Sequence, residues 1–198
     1  MLRLARLFNF QTHQRSLKVI DAHYNLGNDL FEAMLGPSMA YSCGYWDNAE
    51  TLDQAQLRKY DLICKKLQLQ PGDRVLDMGY GWGGLSRYMA ENYECHVVGI
   101  SLSTEQSDWA KEYCKGLSVE FYLCDYRDDK IWNAEKQPFD KVVSVEFCEH
   151  VGYKNYQALM DVVSANLKDH GLFLIQVLGN QKKYINDPWF NKYIFPMV

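Results

Sequence analysis

One stretch limits what this chain can become: Val75-Leu76-Asp77-Met78-Gly79-Tyr80-Gly81-Trp82-Gly83-Gly84, a short apolar run that breaks into glycines. Glycine accepts backbone angles that strain other residues, and it lets a ligand approach the chain closely. A GxGxxG spacing is weak evidence alone. Here it follows a strand, precedes a helix and opens a βαβ unit, the context that gives it meaning. Strands are expected at residues 74–78, 96–100, 119–124, 141–145 and 172–178. Helices are expected at 83–92, 104–115 and 155–167, the last closed by Asp169-His170-Gly171. That alternation predicts an α/β fold, a Rossmann-like parallel sheet with helices on both faces and ligands at the carboxyl ends of its strands. Residues 1–70 read as a mostly helical segment covering the active site, with its clearest helix at 52–69 ended by Pro71-Gly72, and residues 71–198 as the sheet domain.

The loop also hints at its ligand. Asp77 sits two residues before the first glycine. A carboxylate there repels a pyrophosphate but can hold a cationic amino group or ordered water, which suits S-adenosylmethionine; the alternative is an acid that caps the loop. A ribose normally meets an acid at the tip of the second strand. That tip, Gly99-Ile100-Ser101, has none, so Gln106 or Glu105, one helical turn on, must substitute. After the third strand, Asp125 is placed to meet an adenine edge or is a surface-turn acid.

Charge narrows the partners. The formal net charge is −4. Residues 1–20 hold Arg3, Arg6, Arg15 and Lys18 and no acid, so the rest of the chain is more acidic still. An acidic body argues against nucleic acid as the main partner. The basic head, with Leu2, Leu4, Leu7, Phe8 and Phe10, reads either as a segment lying on an anionic membrane surface or as a helix packed on the body. The six cysteines show no CxxC and no clustering with histidine, so no metal site is expected and free thiols in the reducing cytosol are. No signal peptide and no run long enough to span a bilayer is found.

Further motifs carry a family resemblance. The segment His23-Tyr24-Asn25-Leu26-Gly27-Asn28-Asp29-Leu30-Phe31 resembles HYDLGNDLF of the cyclopropane-fatty-acyl-phospholipid synthases. Tyr41-Ser42-Cys43-Gly44-Tyr45-Trp46 resembles their YSCAYW, and Gly79–Gly84 their GCGWGG. Glu149-His150-Val151-Gly152 resembles EHVG, and residues 187–196 resemble DPWINKYIFP. The mycolic acid cyclopropane synthases share several of these.

The resemblance implies a class I S-adenosylmethionine methyltransferase sheet and transfer of a methylene group to the cis double bond of a phospholipid acyl chain. The alkene attacks the sulfonium methyl, and loss of a proton from the new methyl closes the ring. Such a site needs orientation, a water-poor pocket and a base, and aromatic faces such as Tyr41, Tyr45 and Trp46 can stabilise positive charge. It implies a bound bicarbonate ion as base, with Cys43, Glu149, Gln176 and the Leu178 main chain at its ligand positions. It places Tyr41 and Ser42 at the methionine end of the cofactor, Gly79 and Gly81 along it, Gln106 at the ribose, and Asp125 with Tyr126 at the adenine. It implies work at the inner face of the membrane by a cytoplasmic, peripheral protein, and is compatible with a homodimer.

Three departures stand out. Tyr80 replaces the cysteine of GCGWGG, and its larger ring either crowds the loop or points away from it. Gln176 replaces a histidine of the family's HTIG; it can donate hydrogen bonds but cannot titrate. The family chain also runs on past Pro196 and there supplies two more strands, much of the lipid channel and a bicarbonate-holding tyrosine. Five strands leave an unpaired apolar edge, so these 198 residues alone are expected to fold poorly or lack activity. The competing readings are an inactive shortened homologue that only binds cofactor, and a methyltransferase for another small molecule.

Overall fold

The computed structural model describes residues 27–128 and 137–179, with Thr12, Ser16, Ile20, His23, Tyr24, Ile131, Trp132 and Trp189. The basic head and, apart from Trp189, the segment at 187–196 lie outside the described residues.

In chain order the elements are α1 (Asn28–Leu35), α2 (Leu52–Leu67), β1 (Arg74–Met78), α3 (Gly84–Tyr93), β2 (His96–Ser101) and α4 (Thr104–Tyr113). There follow β3 (Val119–Leu123), β4 (Phe139–Val145), a one-turn α5 (Cys148–Val151), a 3₁₀ turn (Tyr153–Asn155), α6 (Tyr156–Asn166) and β5 (Leu167–Gln176). The five strands form one sheet in the order β3-β2-β1-β4-β5. Every pairing is parallel. The order reverses at β1, between β2 and β4, which opens a crevice at the carboxyl ends of those strands.

Alternation along the strands builds two cores. Val75, Val97 and Val143 face α2 and α3, where they meet Tyr60, Ile63, Leu67 and Met89. Leu76, Met78, Val98 and Val142 face the other way, onto Leu159 and Val163 of α6. Both faces are covered, so the central strands read as nearly continuous apolar runs. Through α2 the N-terminal helical segment and the sheet share one core.

Most element ends shift by one or two residues, and three larger differences from the sequence reading stand out. The segment before the sheet is less helical than expected: residues 36–51 form an irregular span, in which Gly36, Met39 and Asn48 all take positive φ. Helix α2 starts at a Thr51 cap, whose Oγ1 accepts the Gln54 N–H at 3.3 Å. It ends at Leu67 because Gln68 turns left-handed (φ 55°) and returns its N–H to the Cys64 carbonyl, ahead of Pro71-Gly72. The Asp169-His170-Gly171 turn does not separate α6 from β5. It lies inside β5, where His170 has φ 64° and the register on β4 slips between Phe139 and Lys141. The turn chemistry was legible, but it is spent on an irregularity within the strand. Among the described residues β5 pairs on one side only, and Ile175 is exposed.

Helix α1 is fastened to the glycine loop. Trp82 is 1% exposed, its ring centroid lies 4.6 Å from that of Phe31, and its Nε1–H donates to Asn28 Oδ1 at 2.7 Å. Trp82→Ala is expected to cost about 3–5 kcal/mol, and Asn28→Ala about 1 kcal/mol, in urea denaturation. Similar small losses from both would show that α1 is not docked through this pair.

Candidate active site

A cavity occupies the crevice. Its floor is the turn after β1 and the ends of β2 and β4; its roof is residues 39–42 with Tyr24. All eight residues expected at the cofactor line it: Tyr41, Ser42, Asp77, Gly79, Gly81, Gln106, Asp125 and Tyr126.

The loop geometry is set by glycine at the points of closest approach. Gly79 has φ 81°, and its N–H donates to the Ile100 carbonyl at 2.9 Å. A Cβ there would lie 2.8 Å from the Phe147 ring. Gly81 (φ 55°) has no atom within 4 Å of where a Cβ would sit, so a ligand can pass close to its backbone. Tyr80, the departure from the family cysteine, is buried with its ring 4.3 Å from Phe121. The space comes from Gly99, whose absent Cβ would lie 2.6 Å from the Tyr80 ring. The ring packs over β2 and borders the cavity.

Asp77 is 2% exposed, and its Oδ2 accepts the Ser86 hydroxyl at 2.6 Å. Burial pushes its carboxyl up from 3.8 to about 6, against the Ser86 bond, which favours the ionised form. Gln106, not Glu105, reaches the cavity; its Oε1 accepts the Ser101 hydroxyl at 3.3 Å, and Ser103 caps α4 beneath it. Asp125 is not a bare carboxylate. Arg127 grips both its oxygens, Nε to Oδ1 at 2.7 Å and a terminal nitrogen to Oδ2 at 2.6 Å. Tyr126 is buried beside it, edge-on to Phe147.

The four residues expected around the base fall into two pairs. Gln176 Nε2 donates to Cys43 Sγ at 3.5 Å, and both border a shallow groove against α2. Burial and the nearby Glu146 push the Cys43 thiol up, so it stays protonated at neutral pH. Separately, the Leu178 N–H donates to Glu149 Oε1, while Glu149 Oε2 is buried with no hydrogen-bond partner among the described residues.

Several site residues escaped the sequence reading. Lys59 is 4% exposed and borders both the cavity and the groove; its Nζ donates to Ser42 Oγ at 2.5 Å. Burial pulls its ammonium down to about 8, with Glu146 and Cys43 opposing the fall. Its neighbour Gln56 donates to the carbonyls of Ser42 (2.8 Å) and Ala40 (3.4 Å). The signal was available, since both polar residues sit on the apolar stripe of α2 with Ala55, Tyr60 and Ile63. His150, pulled down to about 4 by burial and by His23, is neutral, and its Nε2 shares a hydrogen bond with the Tyr24 hydroxyl at 3.3 Å. Glu146, which follows β4 and lines the cavity, had no periodicity to reveal it.

A parallel sheet in this order, with a glycine turn and a buried acid at its switch point, is the fold of the S-adenosylmethionine-dependent methyltransferases. Among solved structures, mycolic acid cyclopropane synthase CmaA1 complexed with SAH and CTAB matches at 32% identity and TM-score 0.73, over 80% of this chain and 55% of that one. Coclaurine N-methyltransferase bound to N-methylheliamine and SAH matches at 26% identity and TM-score 0.74, over 91% of this chain and 53% of its own. The sequence profile of the mycolic acid cyclopropane synthetases matches residues 11–197, and the chain belongs to that family. Cyclopropane-fatty-acyl-phospholipid synthase of Escherichia coli K12 is 53% identical over 193 residues, 97% of this chain and 49% of the relative. Sphingolipid C9-methyltransferase A of Emericella nidulans is 36% identical over 88% of this chain and 36% of its own length. The chain thus spans about half the length of the E. coli relative.

The Asp77 shift has a signed consequence. Its folded pKa lies above the unfolded value, so its contribution to stability is complete below about pH 4 and is lost as pH rises through about 6. By neutral pH the loss is about 3 kcal/mol. Asp77→Asn, which mimics the protonated acid, should match the wild type near pH 4 and exceed it near pH 7 in urea denaturation. An equal gap at both pH values would mean that Asp77 is not held in this way.

Proposed function

We propose that this chain forms the cofactor-binding and proton-handling part of a synthase that adds a methylene group from S-adenosylmethionine across the cis double bond of a phospholipid acyl chain. The observation that carries the reading is the convergence of all eight expected cofactor residues on one cavity at the switch point of the sheet. It is supported by the 53% identity to the E. coli synthase.

The cofactor, when bound, supplies an electrophilic methyl group on a positively charged sulfur. Asp77 and the loop glycines suit that ligand. A carboxylate buried at a free-energy cost is stabilised when a cation arrives, and the open face of Gly81 admits a bulky chain. Ser42 is oriented by Lys59: its oxygen accepts from the ammonium, so its own proton is directed toward an acceptor such as a ligand carboxylate. Gln106 offers its amide at the ribose position. The roof is aromatic, with His23 stacked on Tyr41 at 5.6 Å and Phe31 edge-on to Tyr41 at 5.7 Å. Such a roof excludes water and favours a cationic carbon beneath it.

Bicarbonate fits this donor set poorly. The Leu178 N–H is taken by Glu149, and the Cys43 N–H and Gln176 amide are taken by Glu146. A second anion would enter beside two carboxylates, with Lys59 as the one described cation lining both the cavity and the groove.

Action from the membrane surface is part of the same proposal. No described helix is long and apolar enough to cross a bilayer. Helix α1 turns Leu30 and Met34 outward beside the cavity roof, apolar side chains that suit a lipid surface. The cysteines are all free thiols, which suits a reducing compartment.

Calorimetry with S-adenosylhomocysteine tests the first half. Binding is expected, and Gln106→Ala should weaken it about tenfold, the effect of losing one good hydrogen bond. Mass analysis of phospholipids after expression tests the second half and should show one added CH₂ per modified unsaturated chain. Absence of nucleoside binding would overturn the reading, and binding with methylated amines but unaltered lipids would favour an N-methyltransferase.

A further inference from the structure

Two donors from distant parts of the chain meet at one carboxylate oxygen. The Cys43 N–H and the Gln176 side-chain amide both reach Glu146 Oε1 at 3.3 Å. Glu146 lies between β4 and α5 and lines the cofactor cavity. Its backbone has φ 51°, a left-handed conformation that a glutamate seldom adopts. Two neighbours fix it there. Its own N–H donates to the Gln176 carbonyl at 2.8 Å, and the following Phe147 fills the space that Gly79 leaves open. Strain of this kind persists where the surroundings over-determine it, and it gathers at functional sites. Folding alone would favour glycine at this position. The buried Lys59 ammonium is close enough to feel both Glu146 and Cys43.

We propose that Glu146 is the proton acceptor of the methylene transfer, a base carried by the chain in the seat where a free anion would otherwise bind. This rests on the methylene-transfer reading above. The step balances without any added reagent. The alkene electron pair bonds to the methyl carbon as the carbon–sulfur bond breaks, and the sulfide leaves with that pair. The C–H electrons of the new methyl then bond to the cationic carbon and close the ring. The released proton goes to Glu146 Oε2 or Oε1, and water removes it before the next cycle. The Cys43 N–H and Gln176 amide hold the carboxylate in place, and neither has to titrate. A glutamine therefore suffices at the position where the resemblance expects a histidine.

The test has a binding arm and a turnover arm. Glu146→Gly keeps the backbone at ease at φ 51° and empties the seat. In ¹³C NMR, ¹³C-bicarbonate should give an unbroadened line with the wild type and a broadened one with Glu146→Gly. Binding by the wild type, or no binding by the variant, would overturn the placement. In carbonate-free buffer the complete synthase that contains this chain should turn over in its wild-type form, and Glu146→Gln should fall at least 100-fold, the usual scale for loss of a general base. Added bicarbonate should restore Glu146→Gly at least tenfold. Wild-type turnover that starts only with bicarbonate, or none under either condition, overturns the assignment. Calorimetry with S-adenosylhomocysteine runs in parallel. If the wild type fails to bind it, the methyl-transfer reading falls, while the NMR arm still decides whether Glu146 fills the anion seat.

Discussion

The site depends on two polar side chains buried on α2. Gln56 takes hold of the carbonyls of Ala40 and Ser42, and Lys59 takes hold of the Ser42 hydroxyl. Without these bonds residues 36–51 have little regular structure of their own to fix them. Burying an amide and an ammonium is unfavourable unless their hydrogen bonds are made. That penalty ties the span to the helix, because releasing the loop would strand both donors. The same helix packs Tyr60, Ile63 and Leu67 against β1 and β2. The roof of the cavity and the core of the sheet are therefore held by opposite parts of one helix face, and Tyr41, Ser42 and Cys43 reach the strand ends as a unit.

The second organising feature is an imbalance of charge. Asp77 is wholly buried with only a serine hydroxyl for support, and Glu149 keeps one oxygen unpartnered among the described residues. Glu146 receives two neutral donors. Lys59 is a single buried cation among them. A protein stabilised for its own sake would neutralise or remove such acids. The proposed methylene transfer gives a site reason to keep them, because each is satisfied only when positive charge arrives. The cost shows up as a raised Asp77 and a lowered Lys59, both driven by desolvation.

Most of the scaffold was legible because it is periodic. Strand β1 was read to the residue, and the switch-point crevice follows from the alternation of elements. The eight residues expected at the cofactor, all of which line the cavity, could be named because glycine, acid and glutamine sit at fixed offsets from strand ends, together with the motif resemblance. What the sequence hid is long-range or conformational. Arg127 reads as an ordinary charge until it closes on Asp125. The turn at residues 169–171 reads as a boundary until the register of β4 shows a slip within the strand. Glu146 carries its information in a φ angle and in two donors 103 and 30 residues away, none of which leaves a trace in local pattern.

Tyr80 shows how a departure from a family motif is absorbed. A tyrosine in a tight glycine turn adds a large ring where the resemblance expects a small thiol. The room is on the neighbouring strand. Gly99 pairs with Asp77 in the β1–β2 register, so the bare backbone of β2 lies beside the loop's own strand. Phe121, paired with Gly99 on β3, completes the ring contact. Any side chain at residue 99 would collide with both rings. The substitution at residue 80 is thus tolerated only together with glycine at 99, and a Gly99→Ala change should displace Tyr80 into the cavity that Gly79 and Gly81 keep open. The two positions are one packing unit, and their combination decides where the Tyr80 ring lies at the border of the cavity.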